Sequence, residues 1–198
     1  MKTTLIYTLA LFTIALQGQN KIESSLTELF IQGGWYNFEE HKYEYDSDKN
    51  LTLDTFNNWG FGAQDPQNKE KTSYSYNANN MVTEMIKQSW ISVDYENSKK
   101  EIYEYNNNNN VTSILYQDWE SGAWKDIEKK ELTYNNDNLL TSSFTKEYSS
   151  GVWKDSSKGT DSYSSGYITE LKEEKWNGSE WEKHSLHKLT YNSNNKII

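Results

Sequence analysis

The chain has no cysteine, one proline and only ten glycines in 198 residues. Without cysteine there is no disulfide framework, so burial and backbone pairing must hold the fold. The near absence of proline fits a chain built mostly of paired strands. Positive charge is also short. Lys and Arg number 20 against 29 Asp and Glu, a net charge of −9, which argues against sequence-independent nucleic-acid binding because that needs a basic stripe to displace counterions. Aliphatics are scarce too: Leu, Ile, Val and Phe make up less than a fifth of the residues after position 19. One apolar run exists, Leu5–Leu16, and it is shorter than the roughly 20 residues that cross a bilayer. No membrane span is expected.

That run follows Lys2 and gives way to small and polar residues, the three-part layout of a secretory signal. The expected organisation is therefore a signal peptide at 1–19 and one domain at 20–198.

Eight Trp and fifteen Tyr offset the shortage of aliphatics. Disordered chains are poor in such residues, and each ring supplies a large contact area. They recur on a fixed frame. A tyrosine precedes each polar turn at Tyr45, Tyr76, Tyr105, Tyr134, Tyr163 and Tyr191, at intervals of 31, 29, 29, 29 and 28 residues. Each turn is followed by an aliphatic residue: Leu51, Val82, Val111, Leu140, Ile168 and Ile197. An aromatic comes eight residues later at Trp59, Trp90, Trp119, Tyr148 and Trp176, and a second one five residues beyond that at Tyr95, Trp124, Trp153 and Trp181. Gln64 stands in the corresponding place after Trp59. Ile22, Leu26, Phe30 and Trp35 fit the same frame, so the repeats begin near residue 20. They run out at Ile198, where the final stub is expected either to continue a longer array or to pair as a cap.

The i, i+4, i+8 spacing of Val111, Leu115 and Trp119 fits a helix face as well as a strand face. Segment length between Asn/Gly/Ser turns and enrichment in Thr, Val, Ile, Tyr and Trp decide for strands. The S-G, N-G and N-N dipeptides tolerate the positive φ that hairpins require. Trp119 then faces Trp124 across a hairpin, as Tyr148 faces Trp153 and Trp176 faces Trp181. The expected fold is all-β: tandem β-hairpin repeats of about 29 residues in one antiparallel meander of about twelve strands. An open sheet of that size tends to curl, which favours a curled sheet with the aromatic face inward. A single-layer sheet held by charge and tyrosine ladders is the alternative.

The segments YEYDSDKNLT at 43–52 and YSYNANNMVT at 74–83 resemble the YD repeats of Rhs-type and teneurin-type shells. They are more similar to the tandem repeats of secreted Bacteroidota proteins, in which W-x4-W hairpins alternate with Y-x-Y-(D/N) hairpins. The resemblance runs over essentially all of 20–198 and implies this architecture and a surface or extracellular location.

No nucleophile–base–acid set stands out, so no catalytic residue and no cofactor are expected. His184 and His187 have an H-x-x-H spacing, which alternation on a strand places on opposite faces. Asp46, Asp48 and Asn50 echo the start of a calcium loop but lack its glycine and distal glutamate; an Asx-rich turn is the plainer reading, and no metal site is expected. Asn50-Leu-Thr52 and Asn110-Val-Thr112 match glycosylation sequons and fall on turns. The tryptophans are the candidates for ligand binding: Trp59, Trp90, Trp119, Trp124, Trp153, Trp176 and Trp181. Rows of exposed aromatic faces stack on sugar rings, whereas buried rings serve as core. The function expected is that of a secreted or cell-surface structural or adhesive repeat protein, without catalysis. A carbohydrate-binding module using the Trp/Tyr rows is the alternative, and the partner is a surface glycan or another cell-surface protein.

Overall fold

The computed structural model describes residues 21–60 and 63–198. The expected signal peptide at 1–19 lies outside them. The first six strands are β1 (Ser24–Ile31), β2 (Gly34–Tyr45), β3 (Leu51–Asn58), β4 (Asn68–Tyr76), β5 (Val82–Ile91) and β6 (Asp94–Tyr105). The rest are β7 (Val111–Glu120), β8 (Ala123–Tyr134), β9 (Leu140–Ser149), β10 (Val152–Ser164), β11 (Tyr167–Trp176) and β12 (Trp181–Lys188). They form one antiparallel sheet in strict sequence order. The tandem-hairpin meander is therefore present as expected.

The sheet stays open and has one layer, the second of the two forms considered. Among the described residues no apolar side chain is buried, and Ser113, at 6% exposure, is the only buried residue. The physical reason lies in the strand middles. Curling would bury a face that carries Lys, Glu, Gln and Asp between its aromatics, and each charge would need a partner to leave water. The side chains instead lie along the sheet and half-cover one another; all eight positions of β3 are intermediate in exposure. Long stems shield the backbone while charged tips stay wet.

Two kinds of turn alternate. At the first, the residue after the repeat tyrosine is Asp or Asn and its side chain organises the loop, except after Tyr163, where Ser165 (φ 51°) and Gly166 (φ 82°) make a two-residue turn. Asn106 Oδ1 accepts from the amides of Asn108 (2.9 Å) and Asn110 (3.0 Å), and Asn109 takes φ 62°. Asn77, Asn135 and Asn192 do the same. Asp46 plays this part in the first repeat, its Oδ1 accepting from Asn50 N–H at 2.8 Å. The turn residues also ladder with one another: Asn50 Nδ2 donates to Asn80 Oδ1 (3.0 Å) and Asn108 Nδ2 to Asn138 Oδ1 (2.8 Å). At the second kind of turn two residues suffice, as with Ser121 (φ 50°) and Gly122 (φ 81°) between Glu120 and Ala123. This is the doubly left-handed loop whose twist suits a hairpin.

The tyrosine is the tie between successive turns. Its hydroxyl donates to the carbonyl of the aliphatic residue that left the preceding turn. Tyr45 reaches Ile22 (3.0 Å), Tyr76 reaches Leu51 (2.7 Å) and Tyr105 reaches Val82 (2.6 Å). Tyr134 reaches Val111 (2.8 Å), Tyr163 reaches Leu140 (2.7 Å) and Tyr191 reaches Ile168 (3.0 Å). Each bond spans two strands and closes the open end of one hairpin. Past β12, Tyr191 also bridges Ile197, so the final stub pairs as a partial further turn.

Bulges recur on the same frame. The register slips where each Asx turn is left, as between Glu104 and Tyr105, and again at the third residue after the second aromatic. The extra residues in this second series are Phe38, Ser98, Ile127, Ser156 and His184. The exception in the array is β3–β4, whose ladder ends at Asn58–Asn68 and leaves a longer connection.

Burial holds the phenols of Tyr45, Tyr76, Tyr105, Tyr134 and Tyr163 above the usual tyrosine value. A group with a higher pKa folded than unfolded stabilises the fold fully below its unfolded value and loses that contribution as pH rises through the folded one. Stability measured by circular dichroism in urea is thus expected to fall above about pH 10, in step with tyrosinate absorbance. A flat profile through that range contradicts the tie. Tyr105→Phe is expected to cost about 1 kcal/mol at neutral pH, the net worth of one hydrogen bond.

Candidate functional site

The second aromatic of each repeat meets the first across its hairpin. Trp119 pairs with Trp124 at 4.9 Å between ring centroids and 67° between planes. Trp90–Tyr95 (5.0 Å, 77°), Tyr148–Trp153 (5.2 Å, 61°) and Trp176–Trp181 (5.2 Å, 58°) follow the same plan. Phe30–Trp35 is the N-terminal member, at 5.2 Å and 58°. Pairs with inclined planes satisfy the ring quadrupoles, which disfavour face-to-face stacking. Successive pairs lie two strands apart, roughly 9–10 Å, and form a row along one side of the sheet near the two-residue turns. Trp59 stands outside the row. It follows β3 in the longer connection, and its amide donates to the Phe38 carbonyl at 3.0 Å.

Sequence reasoning missed what lies on these rings. Lys71, Lys100, Lys129 and Lys158 recur every 29 residues, each five positions before a repeat tyrosine. From two strands away, Lys71 Nζ sits 4.2 Å from the centre of Tyr95, Lys100 Nζ 4.8 Å from Trp124, and Lys158 Nζ 4.6 Å from Trp181. Lys69 lies over Trp90 at 5.1 Å. The ammonium groups find the negative face of each ring. Lys158 also pairs with Glu174 on the intervening strand β11 (3.3 Å), whereas Lys100 pairs with Glu84 on β5, the neighbour on its other side (3.4 Å). Glu174 also binds Lys172 at 2.8 Å, and the hydrogen bond from Lys172, with that from Lys158, holds its carboxyl below the usual range. The fixed offset of the lysines was the available signal.

Trp153 differs. Lys129 holds the repeat position that would cover it, but its ammonium pairs with Glu131 at 3.1 Å. A shallow depression is left, lined by Trp153, Leu115, Ile102, Glu104, Asp126 and Lys129.

The remaining candidates resolve into structure. The Asp46 loop is an Asx turn: hydrogen bonds from the backbone and then the side chain of Asn50 hold the Asp46 carboxyl below its usual range. His184 is the extra residue of a bulge, so simple alternation does not apply between it and His187. Among the described residues no three His, Cys, Asp or Glu side chains group as a metal site. His41 Nδ1 lies 2.9 Å from Asp54 Oδ1, with its ring stacked 5.7 Å from Tyr43, as a cross-strand pair in the ladder.

No family model matches the chain, and no curated protein matches it in sequence. Similarity appears in solved structures. A protein of unknown function from Bacteroides fragilis superposes with a TM-score of 0.52 at 16% identity, over 62% of this chain and 91% of that one. A porin-like protein from Bacteroides uniformis gives 0.44 at 18% identity, over 87% of this chain and 61% of that one. A DUF3836 family protein from Parabacteroides distasonis gives 0.36 at 14% identity, over 46% of this chain and 92% of that one. The Bacteroides fragilis likeness is one of β fold.

If lysine and ring form a unit, Lys100→Ala and Trp124→Leu are coupled. A double-mutant cycle by urea denaturation is expected to give about 0.5–1 kcal/mol of interaction. A coupling of zero shows that the ring face is only incidentally covered.

Proposed function

We propose that the chain is an exported structural or adhesive repeat protein that works as a scaffold and not as a catalyst. One observation carries this reading: the aromatic faces that a glycan would need are already used inside the array. Lysines from neighbouring strands cover Trp90, Tyr95, Trp124 and Trp181, and the paired rings are inclined, where a sugar platform is coplanar and open. The signal-like 1–19 and the resemblance of the YEYDSDKNLT and YSYNANNMVT segments to YD-type repeats of secreted Bacteroidota proteins support a place outside the cytoplasm. The partner this predicts is another cell-surface component.

A carbohydrate-binding reading has one observation in its favour, the ring of Trp153 at a depression that also offers Glu104, Asp126 and Lys129. Titration calorimetry of the chain with a panel of polysaccharides separates the two. The scaffold reading expects no heat of binding from any of them. Saturable binding that Trp153→Ala abolishes, with an unchanged urea midpoint, establishes the glycan reading instead. Location is checked by cell fractionation in a Bacteroides host: the chain is expected outside the cytoplasm, shortened by about the signal length. Full-mass protein retained in the cytoplasm contradicts export.

A further inference from the structure

We propose that copies of this chain join head to tail, with β1 of one copy adding to the free edge of β12 of the next. Among the described strands, β1 and β12 each have one neighbour, so each presents a row of backbone donors and acceptors. The phase of the repeat makes the two edges complementary. β1 is of the same kind as β3, β5, β7, β9 and β11, running from a turn aliphatic to an aromatic. β12 is of the other kind, running from an aromatic to a repeat tyrosine. Inside the sheet, strands of the second kind are followed by the first kind in a fixed register, as in Thr133↔Ser142, Glu131↔Phe144 and Lys129↔Lys146. Carried to the edges, that register sets Thr190, Lys188 and Leu186 opposite Ser24, Leu26 and Glu28 of the second copy.

Backbone direction agrees. Glu23 accepts from Tyr43 N–H at 2.9 Å, and Leu189 donates to the Thr169 carbonyl at 3.0 Å. Ladder alternation then turns the amides of Ser24, Leu26 and Glu28, and those of Leu186 and Lys188, toward the free edges. Charge agrees as well: Glu28 is the single charge on β1, and Lys188 becomes its diagonal neighbour.

The side chains at the two edges complete each other. Leu186 occupies the repeat position held elsewhere by Lys71, Lys100, Lys129 and Lys158, and it is 54% exposed. Phe30–Trp35 is the pair with no preceding repeat in the described sheet, and its rings are 61% and 67% exposed. Docking brings Leu186 over Trp35 of the second copy, as Lys100 lies over Trp124, with the exposed Leu26 beside it. An apolar residue replaces lysine at the one place where the ring it would cover belongs to another molecule. Ile22 and Ser24 of the incoming copy displace the stub Ile197–Ile198, which holds that edge through the Tyr191 bridge and the bond from Ile198 N–H to the Thr190 carbonyl at 3.0 Å. Since the two surfaces differ, the contact leaves a free edge at each end of a dimer and propagates beyond it, as a filament unless the rotation per copy closes a ring.

Sedimentation velocity of the full chain over a concentration series tests this. A ladder of species beyond the dimer is expected; a monomer throughout, or growth that stops at two, overturns it. Leu26→Pro removes an edge donor that serves no bond within the chain, a place where proline is tolerated. It is expected to keep the circular dichroism of the native sheet and to weaken assembly about tenfold or more; assembly equal to that of the unaltered chain overturns the proposal. Should that variant unfold, cysteine pairing decides. Thr27→Cys and His187→Cys face each other across the proposed contact at a non-hydrogen-bonded position, about 4.5 Å apart, within disulfide reach. Mild oxidation is expected to link the two variants only when they are mixed. Thr27→Cys linking to itself, or no link in the mixture, overturns head-to-tail addition.

Discussion

A sheet without a second layer has to satisfy both of its faces with its own side chains, and everything else in this protein answers to that constraint. The repeat tyrosine is the main answer. Its hydroxyl closes the open end of a hairpin onto a carbonyl of the adjacent strand, as Tyr105 of β6 does on Val82 of β5. Six such bonds, from Tyr45 to Tyr191, run along the side of the sheet that carries the Asx turns. At the other end of the strands the inclined aromatic pairs and the lysines above them do the equivalent work. Between the two rows the strand middles are polar, because no opposing layer exists to receive apolar residues. The absence of buried aliphatics among the described residues is therefore a consequence of the architecture, and it agrees with a chain so short of Leu, Ile and Val.

Much of this was legible in the residues. The tyrosine frame gave the phase of all six turns, and the W-x4-W spacing placed Trp119 against Trp124 and Trp176 against Trp181 before any geometry was known. Even the N-terminal half-repeat, with Phe30 against Trp35, followed from alignment to Val111–Trp124. These features are local: a two-residue turn fixes which residues oppose each other.

What was not legible depends on contacts between residues more than 20 positions apart, which no local spacing marks. Nothing in the neighbourhood of Lys100 marks Trp124, 24 positions on, as its partner. The tyrosine hydroxyls were likewise unassigned, since a phenol offers no sequence sign of the carbonyl it will choose. The preference for a curled sheet came from the tendency of a large open sheet to twist, with the aromatic face turned inward. Once lysines cover those rings, the aromatic face has no need of a second layer. The bulges escaped for a related reason. An extra residue such as Ile127 or His184 leaves the 29-residue period unchanged and shows only in the register.

The account makes stability a property of neighbouring repeats, where a globular domain has one shared core. Native-state amide hydrogen exchange, followed strand by strand, tests that claim most directly. Nearest-neighbour coupling predicts graded protection, greatest in β6–β8 and falling toward β1 and β12 through openings smaller than global unfolding. Uniform protection of all twelve strands, lost in a single global step, would contradict it.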